Sequence, residues 1–271
     1  ANMTQDQDDV PPAWVASWSI EWITMAHATD AEVDAAIETT SFFDIFEVMD
    51  WATCDTSSGF KSINVGGIGA ECLKLKPGME MLASTLESRR YAAMLGCTAE
   101  ASKWEGITFS PKRMQIYTAM SQIKYGMEDN KRWGSADTRY DEGGPNHMKV
   151  EANKCGCIYA MDVDENFVVK NMHPLVCGNP MDMDDANNNG CDPNHIAEPD
   201  NCAMMEPYDQ LLIGEDTGEH YNDVIWVYDF ASQGLTRILS APAGAETTSP
   251  YFHRNINGHS YVSSVIQHPG S

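Results

Sequence analysis

Acidic residues beside glycine or proline are the residues of this chain best placed for chemistry, because each stands where a short predicted strand begins or ends. They are Glu105 in Trp-Glu-Gly, Asp200 in Pro-Asp-Asn, Glu215 and Asp216 in Gly-Glu-Asp, and Glu246 in Gly-Ala-Glu. Converging carboxylates repel one another unless cations neutralise them, so their meeting at the ends of strands predicts a polynuclear metal site. The spacing leaves a second interpretation open, since any β protein carries acids at its turns.

A second candidate cation site is the asparagine-rich loop that begins at Asp185. Asp185, Asn187 and Asn189, followed by Gly190, match the opening of a calcium loop, in which alternate side-chain oxygens converge on one hard cation. Ile196 stands where an EF-hand would have its bidentate glutamate, so this loop is not an EF-hand. We expect either a looser calcium loop or a solvated turn.

The elements that would position these acids change in character near residue 60. Residues 13–53 carry apolar side chains at helical spacing, whereas later segments such as 157–162 and 167–170 read as strands joined by polar turns. Loose repetition of strand, turn and strand favours a propeller over a sandwich. The sequence therefore predicts a mainly β fold, with an arm and a helical segment over residues 1–59 and a partial or modified β-propeller over residues 60–271.

Charge excludes several classes of partner. The chain has 17 basic and 40 acidic residues, a formal net charge of −23. Nucleic acid and anionic membrane surfaces both require clustered Lys and Arg, so we expect neither as a partner. The sequence has no run of eighteen apolar residues, so we also expect no membrane-spanning segment.

The cysteines and the N-terminal residue indicate in which cellular compartment the protein is located. The chain has eight cysteines, five of them between residues 155 and 202, without the paired spacing that zinc sites prefer. We expect a disulfide or two in an oxidising compartment, with free buried thiols as the alternative. The sequence begins with Ala, so either a leader has been removed or the chain is a piece of something longer. These features predict a secreted or periplasmic protein, or one from an organelle lumen.

Several segments resemble the C-terminal half of the PhoX-type alkaline phosphatases. The resemblance rests on the ordered motifs Trp-Glu-Gly, Pro-Asp-Asn, Gly-Glu-Asp and Ile-Gln-His-Pro-Gly, and on a stretch upstream of the first of them. It implies a β-propeller that hydrolyses phosphate monoesters outside the cytoplasm at a cluster of iron and calcium ions in the propeller channel. The segments concerned are residues 71–96, 103–121, 198–229 and 234–270.

The resemblance also implies roles for individual acids. Glu105 and Glu215 match metal-binding glutamates of the family, and Asp216 lies beside the second of these. Asp200 and Glu246 match further acids of the motifs. The metals would polarise the phosphoryl group and present an oxygen nucleophile, while the carboxylates hold the metals.

Two departures from the family pattern leave a second function open. The family's iron-binding cysteine lies in an N-terminal segment that is absent here, and Cys54 lacks the acids that follow that cysteine. Gln122 stands where relatives often have an acid. The alternative to a phosphatase is therefore a non-catalytic PhoX-like accessory subunit, with a protein partner covering the strand edges that an open half-propeller exposes.

Overall fold

The computed structural model describes residues 1–5, 15–66, 69–184 and 187–270. Strands make up 43% and helices 15% of the structure, so the prediction of a mainly β chain is confirmed. The strand pairs recorded in the described ranges are antiparallel, and no sheet there closes into a barrel. The propeller arrangement stays a prediction.

The helices in the described ranges are short and all end before residue 95. They are α1 (Asp30–Ile37), α2 (Phe42–Ile45), α3 (Glu80–Leu86) and α4 (Ser88–Met94). Single 3-10 turns occur at Trp51–Thr53, Thr56–Ser58, Tyr125–Met127 and Glu206–Tyr208. None of the helices in the described ranges has the length and apolar content of a bilayer-spanning segment.

Strands run through the whole chain. They are β1 (Asn2–Gln5), β2 (Trp18–Glu21), β3 (Phe46–Met49), β4 (Lys61–Asn64), β5 (Ala70–Leu75), β6 (Trp104–Ser110), β7 (Gln115–Met120), β8 (Lys131–Arg132), β9 (Ser135–Ala136), β10 (Cys157–Asp162), β11 (Asn171–Cys177), β12 (Pro180–Asp184), β13 (Asn189–Cys191), β14 (Pro199–Met205), β15 (Gln210–Glu215), β16 (Val224–Asp229), β17 (Gly234–Ser240), β18 (Glu246–Ile256) and β19 (His259–Gln267).

The chain divides into two compact units, and the candidate site residues lie in the second. The first unit contains Ala1–Gln5, Ile20–Ala101 and Tyr125–Lys149; the second contains Asp6–Ser19, Ser102–Lys124 and Val150–Ser271. The domain boundary between residues 59 and 60, which rests on the change from helical to strand-like residue patterns, remains a prediction.

The first unit is built on a small antiparallel sheet with strand order β3-β5-β4. Helices α3 and α4 contribute Ala83 and Ala93 to its core, which also contains Phe46, Ile63 and Leu73. These side chains are almost fully buried, so the unit has an apolar centre of its own.

The helical segment differs from the continuous helix face that the apolar spacing between Val33 and Met49 predicts. Helix α1 ends at Ile37 and buries none of its residues, and α2 restarts after Ser41, whose backbone N–H donates to Asp44 at 2.8 Å. Residues from Phe46 onward form β3 and pair with β5. Tertiary pairing thus overrides the helical spacing, because β3 gains a sheet partner and Phe46 becomes buried.

The second unit contains two larger sheets and a long hairpin. One sheet has the order β2-β11-β10-β7-β6, and the other is the meander β14-β15-β16-β17. A shared core joins them, with Tyr117 and Ile158 from the first sheet and Leu211, Ile213 and Trp226 from the second. Strands β18 and β19 form a separate two-stranded sheet.

Disulfides join three pairs of cysteines, which confirms the expectation of disulfide bonding. The pairs are Cys54–Cys72, Cys155–Cys191 and Cys157–Cys177. Cys97 and Cys202 are free and buried. This pattern is consistent with a secreted protein or an oxidising compartment.

Candidate carboxylate site

The acids that the sequence singles out lie at corresponding ends of neighbouring strands. Asp200 follows the first residue of β14, Pro199, which pairs with Glu215 at the end of β15. Glu105 lies at the start of β6, and Glu246 is the first residue of β18. Antiparallel pairing of β14 with β15 therefore brings the strand ends that carry Asp200 and Glu215 together, while β6 and β18 belong to other sheets.

Gly106 explains why the glutamate before it lies close to β14. A Cβ added at Gly106 would lie 2.6 Å from Asn201 Cα and 2.8 Å from the carbonyl oxygen of Asp200. Any side chain would therefore force the backbones of β6 and β14 apart, because both obstructing atoms belong to the main chain. The glycine of the Glu-Gly motif thus permits a backbone approach that puts Glu105 beside Asp200.

Gly214 and Thr247 make the matching junction between β15 and β18. A Cβ at Gly214 would collide with the carbonyl oxygen of Thr247. The Thr247 hydroxyl accepts a hydrogen bond from the Glu215 backbone N–H at 2.9 Å and lies 3.0 Å from the carbonyl oxygen of Val224. This buried hydroxyl connects three strands and fixes the start of β18, with Glu246, next to the end of β15.

The pKa of Asp200 shows that the acids share one electrostatic neighbourhood. Burial raises the pKa of the Asp200 carboxyl first, and the charges of Glu105 and Asp216 raise it further. Glu246 adds to the same rise, while the ammonium of Lys103 opposes it. We call this group the carboxylate rim; it consists of the four acids Glu105, Asp200, Asp216 and Glu246 together with Lys103.

Lys103 is the cation that neutralises part of this rim. Its Nζ lies 3.1 Å from Glu105 Oε1. Burial alone would lower the pKa of Lys103, but the hydrogen bond and charge of Glu105 raise it above its ordinary value, with further help from Asp216. No sequence motif singles out Lys103; the available signal is a lysine two residues before a candidate acid in a chain with few basic residues.

Glu215 is placed differently from the other predicted ligands. Its carboxylate is fully buried and accepts hydrogen bonds from the N–H groups of Ala197 at 2.8 Å and Val224 at 2.9 Å, and from Trp226 Nε1 at 2.6 Å. His220 Nδ1 lies 3.1 Å from the same carboxylate. Protein donors therefore surround both oxygens of Glu215, whereas the neighbouring Asp216 is exposed.

His220 is the buried partner of Glu215. Its Nδ1 faces Glu215 and its Nε2 faces the carbonyl oxygen of Asp192 at 3.3 Å, so both ring nitrogens point at acceptors. Burial alone would lower the pKa of His220, but the hydrogen bond and charge of Glu215 raise it above its ordinary value. Only the doubly protonated ring can donate to both acceptors, and this is the form that the raised pKa favours.

Gln122 bridges two charged side chains. Its Nε2 donates to the Glu198 carboxylate, and its Oε1 accepts from Lys124 Nζ. Glu198 also accepts a hydrogen bond from the Thr217 hydroxyl at 2.7 Å. The amide therefore satisfies one donor and one acceptor, which a carboxylate could not do.

The predicted calcium loop is only partly described. Asp185 lies outside the described residues. Asn187 is exposed, and Asn189 Oδ1 accepts a hydrogen bond from the backbone N–H of Tyr221 at 3.0 Å. Both asparagines line an open cavity of about 670 Å³ that also has Tyr221 and Arg237 in its wall. Calcium binding by this loop stays a prediction.

The side chains of the rim and the free cysteines bear on the metals that the sequence predicts. In the described ranges, no three His, Cys, Asp or Glu side chains are grouped tightly enough to hold a metal ion. The carboxylates of the rim are nevertheless the hard oxygen donors that calcium prefers. Cys54 is in a disulfide and burial raises the pKa of Cys202 to about 12, so neither of these two cysteines offers a ready thiolate to iron. The rim therefore offers oxygen donors of the kind that calcium prefers, and the binding of calcium or iron by this chain stays a prediction.

The arrangement of the strands is similar to that of one solved phosphatase structure. That structure is Pseudomonas fluorescens PhoX in complex with vanadate, a transition state analogue. The TM-score is 0.51 at 19% sequence identity, and the match covers 78% of this chain and 39% of that chain. No protein family model and no curated protein matches the sequence. The fold of this chain is therefore PhoX-like, and it corresponds to about two fifths of the PhoX chain.

Proposed function

We propose that this chain is a PhoX-like hydrolase of phosphate monoesters, or a part of one, and that its carboxylate rim holds a calcium ion. The observation that supports the proposal is the close backbone approach of β6 to β14 at Gly106, beside Glu105 and Asp200. The charges of Glu105, Asp216 and Glu246 all act to raise the pKa of Asp200, in agreement with this geometry. Like charges gathered in this way are costly unless a cation offsets them. The similarity to PhoX supports the same interpretation, and the disulfides support a location outside the cell, in the periplasm or in an organelle lumen.

The chemistry would be divided between the ion and the chain. Glu105, Asp200, Asp216 and Glu246 are the residues that would hold calcium. When bound, the ion would polarise the phosphoryl group and offset its charge. Lys103 has three N–H groups and directs one at Glu105, so the others could donate to a phosphate oxygen and orient the ester. Gly106 and Gly214 would keep the strand ends close enough for the acids to act together.

A phosphatase assay on the full chain tests this function. Protein dialysed against EDTA and then returned to calcium should hydrolyse p-nitrophenyl phosphate, and renewed chelation should abolish the activity. Asp200→Asn should lower kcat/KM at least about a hundredfold, a loss of about 2.7 kcal/mol of transition-state stabilisation. Glu165→Gln, which removes an exposed acid from a turn in the same unit, should leave the activity unchanged. Turnover that survives thorough chelation would contradict the proposal.

One observation favours a second candidate, the non-catalytic accessory subunit. Lys103 already provides a cation within the rim, and Gln122 pairs with Glu198 in place of a further acid. In this alternative the ammonium substitutes for the metal, the fold serves as a scaffold, and a protein partner covers its exposed edges.

Lys103→Met distinguishes the two candidates. If the ammonium substitutes for a metal, the variant should lose thermal stability and recover it when calcium is added. If Lys103 binds substrate, the variant should keep its stability and raise KM for the phosphate ester instead. Thermal stability and turnover are measured separately. Unchanged stability would contradict the accessory subunit, and an unchanged KM would contradict a role of Lys103 in substrate binding.

A further inference from the structure

One edge of the β18–β19 hairpin has no strand beside it within the described part of the chain. Strand β19 pairs with β18 along one side only. Both of its faces are open to solvent: Tyr261 is 49%, Val262 43% and Val265 52% exposed. An edge of this kind presents a row of backbone N–H and C=O groups that another strand can join.

The protective features that natural edge strands carry are missing from β19. Between Ser260 and Gln267 the sequence is Ser-Tyr-Val-Ser-Ser-Val-Ile-Gln, with no lysine, no other charge and no proline. Natural edges use such residues to prevent pairing with other chains. Their absence from a strand of nine residues indicates an edge that is built to pair.

We propose that β19 pairs antiparallel with β19 of a second copy of this chain, about a two-fold axis at Ser263. In that register Tyr261 lies opposite the second copy's Val265, and the same contact recurs on the other side of the axis. Aromatic residues opposite β-branched residues are among the favourable cross-strand pairs. The strand is thus complementary to itself, which a symmetric dimer requires.

The hairpin adds an aromatic surface to this interface. Side chains alternate along a strand, so Tyr261, Ser263 and Val265 share one face. Tyr251 of β18 pairs with Ser263 and lies on that face, and it is 60% exposed. Two hairpins joined at β19 would form a four-stranded sheet in which these exposed aromatic and β-branched side chains lie side by side. Dimerisation would thus cover a patch that is open in the single chain.

Charge also favours the hairpin as the meeting point of two copies. Within residues 246–267 the only Asp, Glu, Lys or Arg side chains are Glu246 and Arg254, whose charges cancel. The net charge of −23 therefore lies entirely outside the hairpin. Two copies repel elsewhere, so contact through the hairpin costs least, and added salt should tighten the dimer by screening the remaining repulsion. This inference does not depend on whether the carboxylate rim is catalytic.

Cysteine cross-linking tests the register directly. Residues opposite each other in an antiparallel pair have Cα atoms about 4.5 or 5.5 Å apart, which is within the range of a disulfide. Ser263→Cys places two thiols at the axis and should give a covalent dimer under mild oxidation. Ser264→Cys is the matched control, since it would lie more than about 7 Å from its copy and on the other face. Equal cross-linking of both variants would overturn the proposed register.

Sedimentation of the full chain tests the dimer itself. The wild type should sediment at twice the mass of one chain, with a dissociation constant that falls as salt rises. Ser263→Lys places two ammonium groups face to face and should weaken the dimer at least about tenfold. Ser135→Lys adds the same charge at an exposed serine of the other unit and should leave the dimer unchanged. A monomer at tens of micromolar, or occupation of β19 by a different protein instead of a second copy, would overturn the proposal.

Discussion

Replacing Glu215 by Gln should destabilise the protein severely although it changes only one atom. The carboxylate accepts from Ala197 N and Trp226 Nε1 at one oxygen, and from Val224 N and His220 at the other. Whichever way the amide turns, its NH₂ group meets two donors instead of accepting from them. The imidazolium of His220 also loses its buried counter-charge. Breaking a buried pair by removing one partner costs about 3–5 kcal/mol.

Calorimetry provides the measurement and Asp216 provides the control. For a chain of this size, a loss of about 3–5 kcal/mol lowers Tm by roughly 10 °C. Asp216→Asn changes the adjacent, exposed acid and should stay within about 0.5 kcal/mol of the wild type. Asp216→Asn should weaken calcium binding instead. A Glu215→Gln protein that melts within 1 °C of the wild type, or that loses calcium binding while keeping its Tm, would refute this assignment of Glu215 to the buried network.

Three further predictions concern packing, pH and redox state. Gly106→Ala must separate two backbones and should cost about 1–3 kcal/mol in thermal unfolding, whereas Gly218→Ala, which meets no atom within 4 Å, should be nearly neutral. Burial raises the pKa of Glu100 from 4.5 to about 8, so the folded protein retains a proton that the unfolded chain releases. The free energy of unfolding should therefore fall as the pH rises from 4.5 to about 8. Glu100→Gln should flatten this pH dependence. The same pH dependence in the variant and the wild type would contradict the prediction. Reducing the three disulfides should lower stability by at least about 2–4 kcal/mol in urea unfolding, and an unchanged midpoint would count against a structural role.

The sequence predicted best those features that depend only on residues close together along the chain. Glycine beside an acid marks a strand end, and the structure gives the reason at Gly106 and Gly214: each allows a backbone contact that no side chain would permit. Alternating strands and polar turns indicated the mainly β class. These signals depend on neighbouring residues, so they can be read before the fold is known.

The role of Glu215 could not be predicted in the same way. Two of the groups that bond its carboxylate, Trp226 and the N–H of Ala197, lie 11 and 18 residues away along the chain. Nothing in the Gly-Glu-Asp motif shows that its first acid points into the core and its second into solvent. Pairing partners of cysteines are hidden for the same reason, since Cys54 is bonded to Cys72 of β5, 18 residues further along the chain.

Helical spacing near the N-terminus was misleading for a related reason. Apolar residues between Val33 and Met49 fit one face of a helix, yet Phe46 and its successors pair with β5. A short apolar run suits either structure, and the choice falls to whichever partner buries it better. Phe46 is 1% exposed in the strand, so the sheet supplies that burial.

Calcium titration of EDTA-treated protein tests the central claim most directly. If the rim holds the ion, the calorimeter should record saturable binding to the full chain, and Asp200→Asn should weaken it at least tenfold while Glu165→Gln does not. The same titration should restore hydrolysis of p-nitrophenyl phosphate in step with occupancy. No heat of binding at millimolar calcium, or equal binding by the wild type and Asp200→Asn, would contradict the assignment of the rim as a cation site.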